Sequence, residues 1–107
     1  YMPGIDWSGH DQVKATGWQR KLHIHRAPFY YIEYGLSQLG AVQIWQNAQQ
    51  DLQEALRSYR HALALGGTAD LPALYQTSGA KFAFDVDTLE PAVRSIEETL
   101  ADLESKR

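Results

Sequence analysis

The 107-residue sequence has no cysteine, only one methionine and only four prolines. Without cysteine the chain can form neither disulfides nor thiolate metal sites, and it has no thiol nucleophile. It also lacks an excess of basic residues, because ten Lys and Arg stand against thirteen Asp and Glu, for a net charge of -3. General nucleic-acid binders are usually basic, so nucleic acid is not an expected partner.

Long apolar runs are missing too. No stretch approaches the roughly 18 uninterrupted apolar residues of a membrane span, and the N-terminus lacks the charged-then-apolar layout of a signal peptide. We therefore expect a cytoplasmic protein with no membrane partner. The chain begins with Tyr1, and its methionine is residue 2, from which we expect a piece of a longer protein.

The spacing of apolar residues predicts an all-α chain of about five helices in a single segment, residues 1–107. Residues 1–26 are expected to form a turn-rich loop and a first helix, which Gly17 weakens. Residues 27–50 are predicted to form a helix, and residues 51–107 the helical C-terminus.

Capping residues predict where the helices begin and end. The predicted N-caps are Asp11, Asp51, Asp70 and Asp87. Gly66 and Gly67 are expected to end the helix that Asp51 begins. In the last helix, Glu90 completes a capping box with Asp87, and Pro91 falls in the first turn, where proline is tolerated.

Two of the predicted helices carry apolar stripes at helical spacing. The first stripe is Leu52, Leu56, Tyr59 and Leu63. The stripe of the last helix, which we expect to be buried, is Val93, Ile96, Leu100 and Leu103. Between these helices, Phe82 and Phe84 alternate in a short piece that is predicted to be extended.

The two stripes lie in similar phrases, LQEALRSYRHAL (52–63) and LEPAVRSIEETL (89–100). Their offset is 37 residues, whereas a tetratricopeptide array repeats every 34 or so. Two amphipathic helices often share such letters by chance, and chance is the simpler interpretation.

Residues 27–50 contain a single charged side chain, Glu33. A surface helix normally shows a charged face, so we expect this helix to be surrounded by protein on most sides. A domain of this size can hardly enclose such a helix, which again suggests missing neighbours.

His23 and His25 form an H-x-H pair. On a helix, side chains two residues apart point in different directions, so the pair can chelate one metal ion only in an extended segment. The sequence contains no HExxH motif and no carboxylate near the pair. We therefore expect no metal ligand in this chain, and a free-standing H-x-H metal binder is a remote alternative.

Three tyrosines follow within five residues. Tyr30 and Tyr34 are predicted to share one helix face, with Tyr31 on a neighbouring line. Aromatic stripes usually belong to a core, but a buried phenol needs a hydrogen-bond partner. Phenol and imidazole donors are also suited to stabilising an oxyanion or holding a peptide carbonyl. A core stripe and a donor array stay equally open on the residues alone.

The phrase WQRKLHIHRAPFYYIEYGLSQLGAVQIW (18–45) resembles the C-terminal signature of the M3 family of zinc oligopeptidases, in particular its oligoendopeptidase F branch. The upstream IDWSG and the downstream ALRSYRHALALGGT and LPALYQTSGAKFAFD resemble the same branch. The resemblance therefore covers nearly the whole chain.

This resemblance implies the C-terminal segment of a cytoplasmic zinc metalloendopeptidase that hydrolyses oligopeptides. In that family, zinc is held by an HExxH motif and a later glutamate, and this chain has neither. The resemblance therefore places Zn²⁺ in the remainder of the parent chain and implies that the segment alone is inactive. By motif position, His23, Tyr30 and Tyr34 are implied to contact the transition state and Tyr31 the substrate. The resemblance also implies that residues 27–50 are a cleft-lining helix, which begins near Phe29. The implied partners are an oligopeptide and the rest of the peptidase.

A function of a different class stays open, a small α-helical protein-interaction module without catalytic activity. The phrase ALRSYRHALAL also resembles the second helix of a tetratricopeptide repeat, whereas the uncharged stretch at residues 27–50 weighs against an exposed helical array. Separated from a parent peptidase, the chain would leave an apolar face uncovered, and we expect it to self-associate or to be marginally stable.

Overall fold

The computed structural model describes residues 4–107, which contain six α-helices, two short 3₁₀ turns and no β-strand. The all-α prediction is confirmed. The first three residues of the predicted N-terminal loop lie outside the described range. The helices belong to two compact units with a boundary between Glu33 and Tyr34, and each unit is described by itself. No helix in the described range is long and apolar enough to cross a membrane.

The first unit contains two short helices where one was predicted. These are α1 (Asp11–Thr16) and α2 (Leu22–Arg26), separated by a 3₁₀ turn at Gly17–Arg20. The break therefore begins at the glycine expected to weaken the helix. Asp11 is the first helical residue and not the N-cap as predicted, because helical hydrogen bonding already starts there. Its carboxylate still suits the positive end of the helix dipole.

The second unit contains the four longer helices. They are α3 (Ile32–Gln50, starting at the boundary), α4 (Leu52–Leu65), α5 (Leu71–Thr77) and α6 (Val86–Ser105). Two predicted N-caps are confirmed, since Asp51 accepts a hydrogen bond from the amide of Glu54 at 3.0 Å and Asp70 from the amide of Ala73 at 3.0 Å. Gly66 ends α4 with a φ of 54°, as expected of a C-cap glycine.

The start of α6 differs from the prediction. Its N-cap is Asp85 and not Asp87, because Asp85 Oδ1 accepts from both the amide (2.9 Å) and the hydroxyl (2.6 Å) of Thr88. Glu90 therefore makes no capping box and pairs with a later arginine on the same helix. Pro91 lies inside the helix, beyond the first turn where it was placed.

Amide side chains of α3 hold the neighbouring segments. The carboxamide of Gln43 bonds Lys81 twice: its Nε2 donates to the Lys81 carbonyl at 3.1 Å, and the Lys81 amide donates to its Oε1 at 2.8 Å. Asn47 Nδ2 donates to the Gly79 carbonyl at 2.7 Å, and Gln46 Nε2 to the Pro91 carbonyl at 3.0 Å. The piece predicted to be extended thus forms no strand, because a side chain takes the place of a partner strand.

α3 and α5 approach each other at Gly40. The hydroxyl of Tyr75 donates to the Leu36 carbonyl at 2.9 Å, and its ring lies over the glycine. The ring of Phe82 packs edge-on against Tyr75, with centroids 5.0 Å apart. Desolvation by burial raises the pKa of Tyr75 above its ordinary value. This contact needs a residue without a side chain at Gly40.

The core consists of small residues. The buried apolar residues of the described range are Ala55, Ala62, Ala80 and Ala92, and no large side chain is fully buried. The stripe predicted to be buried on α6 is exposed, because no described element covers that face. α3 is only partly covered within this chain, since Gly40 is its only buried residue among those described. The expectation that protein surrounds this helix concerns the longer parent and stays a prediction.

Replacement of Gly40 by alanine tests the contact between α3 and α5. A Cβ there would lie 2.7 Å from Cε1 of Tyr75, so Gly40→Ala should destabilise the fold by about 1–3 kcal/mol. Gly35 in the same helix has open space around it, so Gly35→Ala should stabilise by about 0.5–1 kcal/mol. Urea unfolding followed by circular dichroism measures both. Equal gains from the two substitutions would show that Tyr75 does not pack there.

Candidate functional site

The structure brings three of the predicted site residues together in the first unit. His23 lies on α2, and Tyr30 and Tyr31 lie in the turn that follows. The rings of His23 and Tyr30 are stacked, with centroids 5.3 Å apart and planes at 8°. The ring of Tyr31 meets His23 edge-on at 5.7 Å and 60°. The imidazole therefore contacts both phenol rings, and we call these three residues the donor cluster.

The local sequence explains how Tyr30 returns to His23. α2 ends at Arg26, and the amide of the next residue, Ala27, donates to the His23 carbonyl at 3.0 Å. Pro28 disfavours a helical conformation in the residue before it, and Ala27 has a φ of -138° and a ψ of 76°. The amide of Tyr30 then donates to the Ala27 carbonyl at 3.1 Å and closes the turn. The proline thus ends the helix where the chain must fold back.

The predicted tyrosine face is wrong in one respect. The helix was expected to begin near Phe29, but α3 begins at Ile32. Tyr30 and Tyr31 therefore precede the helix, and Tyr30 does not share a helical face with Tyr34. Tyr34 lies on α3, belongs to the second unit, and its carbonyl accepts from a serine hydroxyl one turn later.

The three tyrosines are partly exposed in this chain. Tyr30 is 42% exposed, Tyr31 44% and Tyr34 48%. His23 is half-buried. The apolar residues of α4 and α6 are exposed to a similar degree. The exposed fraction therefore does not distinguish a donor array from a core stripe, and both interpretations stay open.

The H-x-H pair does not converge on one point. His23 contacts the two tyrosine rings, whereas His25 lies beside Trp18, with ring centroids 5.8 Å apart. This divergence follows from the helical conformation of α2, in which residues two apart face different directions. Across residues 4–107, no three His, Asp or Glu side chains form a group that could hold a metal ion.

Phe29 is a feature of this turn that the sequence did not indicate. Its φ is 68°, in the left-handed region that residues other than glycine rarely adopt. Its side chain is 94% exposed, beside the donor cluster in the chain. Nothing in the sequence marks an aromatic residue for this conformation, because glycine and asparagine are the usual occupants. The turn therefore stores backbone strain next to Tyr30.

The second unit contains clefts that were not predicted, and two of them involve α3. A polar cleft of about 720 Å³ lies between α3 and α6 and is lined by carboxamides, carboxylates and Arg94. A smaller cleft of about 290 Å³ lies among α3, α4 and α5, and apolar side chains such as Ile44 and Leu74 line it. Neither cleft contains a residue of the predicted site.

Strain at Phe29 predicts the effect of a glycine there. Phe29→Gly should stabilise the fold by about 0.5–1 kcal/mol, because glycine adopts this φ without strain and the exposed ring makes little packing. Phe29→Ala keeps the Cβ and should change stability little. Thermal unfolding of both variants provides the comparison. A loss of stability in Phe29→Gly larger than in Phe29→Ala would contradict the assignment of strain.

Comparison of the chain with protein-family models, curated proteins and solved structures finds no match. The peptidase family therefore stays a resemblance that residues 18–45 carry, and the function of the site rests on its geometry.

Proposed function

We propose that this chain is the C-terminal segment of a cytoplasmic zinc-dependent oligoendopeptidase and supplies hydrogen-bond donors to the substrate and the tetrahedral intermediate. The observation that carries the proposal is the placement of His23 between the rings of Tyr30 and Tyr31. The resemblance of residues 18–45 to the family's C-terminal signature supports it. Its partners would be an oligopeptide and the rest of the peptidase.

The donor cluster has the chemistry that peptide hydrolysis needs at the reacting carbonyl. Negative charge develops on the carbonyl oxygen as the tetrahedral intermediate forms, and fixed N–H or O–H donors stabilise it. An imidazole and two phenols supply such N–H and O–H donors. Ring contacts with His23 restrict how Tyr30 and Tyr31 can turn, which reduces the cost of orienting them during the reaction.

The charge around the donor cluster also suits an anionic intermediate. The stretch between Asp11 and Glu33 contains no acidic residue, and it carries Arg20, Lys21 and Arg26 on or beside the short helices. Basic residues close to the cluster in sequence favour carboxylates and developing oxyanions.

Residues 4–107 do not supply a zinc site, so the proposal assigns the zinc ligands to the remainder of the parent chain. When bound there, Zn²⁺ would activate the attacking water and polarise the peptide carbonyl. The residues of this segment would bind and orient the substrate and hold the oxyanion. By itself the segment is proposed to be inactive.

Tyrosine-to-phenylalanine substitutions in the full-length peptidase test the proposal. Tyr30→Phe should lower kcat by about 10²–10³-fold if its hydroxyl is a single oxyanion donor, because that interaction exists mainly in the transition state. Tyr34→Phe should give a similar loss if Tyr34 reaches the same oxygen. Tyr31→Phe should mainly raise KM, as expected for a substrate contact.

Tyr59→Phe is the matched control, since Tyr59 is as exposed as Tyr30 but lies on α4. It should leave kcat and KM unchanged. Steady-state kinetics on a fluorogenic oligopeptide measures all four variants. Unchanged kcat in both Tyr30→Phe and Tyr34→Phe would reduce these tyrosines to packing roles and contradict the proposal.

A second function is favoured by a separate observation, the exposure of the apolar stripes on α4 and α6. Exposed apolar stripes are typical of helices that bind a partner. As a protein-interaction module without catalytic activity, the chain would use these stripes and would not need the donor cluster. The kinetic test distinguishes the two functions.

A further inference from the structure

The exposed face of α6 has the spacing of a coiled-coil seam. Its apolar residues recur at alternating intervals of three and four, which correspond to the a and d positions of successive heptads. They are Val86, Leu89, Val93, Ile96, Leu100 and Leu103, and each is between 41% and 70% exposed. A seam of this kind is normally closed by a facing helix.

α4 repeats this arrangement. The phrases at residues 52–63 and 89–100, similar in sequence, are also similar in burial. Ala55 and Ala92 occupy matched places and are both buried, at 6% and 4% exposure. Leu56 and Val93, which follow them, are both exposed. Each helix thus turns small residues inward and leaves an apolar stripe outward.

The charges beside the two stripes are complementary. Glutamates flank the stripe of α6 at intervals of seven residues, at Glu90, Glu97 and Glu104. Arginines flank the stripe of α4, at Arg57 and Arg60. Two antiparallel copies of α6 would bring glutamates together, whereas α4 would bring arginine to them.

Ion pairs within each helix already occupy some of these charged side chains, which leaves fewer of them to pair across the interface. Arg57 pairs with Glu54 within α4, and Glu90 pairs with Arg94 within α6. We therefore assign Arg60 and Glu97 to the pairing across the contact. Both occupy the e position of their heptads, and e positions face each other when two helices run antiparallel.

We propose that two copies of this chain pair reciprocally as a closed dimer, in which each copy covers the α6 seam of the other with its α4 stripe, antiparallel, with Arg60 of one copy beside Glu97 of the other. The interface uses the second unit alone, and the donor cluster belongs to the first. It is therefore independent of the proposed peptidase function, and the kinetic test of the donor cluster can fail without affecting it.

Light scattering coupled to size exclusion, over a hundredfold range of concentration, tests the interface on the whole chain. The mass should rise towards twice 12.1 kDa. Leu56→Asp and Ile96→Asp should each raise the dimer Kd by about 100-fold or more, because each removes a buried apolar side chain and adds a charge. Val13→Asp, at an apolar residue of the first unit that is 51% exposed, should leave Kd unchanged. Circular dichroism checks that each variant is folded.

Charge reversal tests which helices meet. Arg60→Glu and Glu97→Arg should each raise Kd by about threefold or more, and the double variant should restore it. Glu98→Arg, on the far side of α6 from the seam, should have no such effect.

Three results would overturn the proposal. A chain that stays monomeric at every concentration has no such interface. This holds also if its stripes bind the rest of a peptidase when that part is added separately. A dimer unaffected by both aspartate substitutions uses another surface. A double charge variant no tighter than its single variants excludes the pairing of α4 with α6.

Discussion

The side chains of α3 hold irregular segments of the chain by satisfying the backbone hydrogen bonds of those segments. In the second unit, Gln43 does this for Lys81 by donating and accepting at once, and Asn47 does it for Gly79. Neutral amides make both kinds of bond without the desolvation cost of a charge. This requirement gives a physical reason why α3 carries almost no charge.

The small core follows from the same arrangement. Hydrogen bonds from amide side chains fix the segments around α3, and the close contacts are made by residues such as Ala55, Ala92 and Gly40. Large apolar residues are left for the outward faces of α4 and α6. The chain thus has two features of different chemistry, polar ring donors in the first unit and apolar stripes in the second, and each carries its own functional proposal.

Local signals were enough to predict the all-α class, the caps at Asp51 and Asp70, and the end of α4 at Gly66. They were not enough at α6, because Asp85 and Asp87 both have a suitable residue three positions later, and only the structure shows that Thr88 is used. The strained turn at Phe29 has no sequence signal. The stacking of His23 on Tyr30 depends on the turn at Phe29 and so has no sequence signal either. Periodicity identified the apolar stripes but not what covers them.

The proposed peptidase function requires that the zinc-binding part of the parent chain precede this segment. The gene should be sequenced upstream of the Tyr1 codon. The proposed peptidase function predicts an open reading frame that encodes an HExxH motif, followed by a glutamate on the next helix. A start codon immediately before Tyr1, with no such motif in frame, would contradict the peptidase function of this chain.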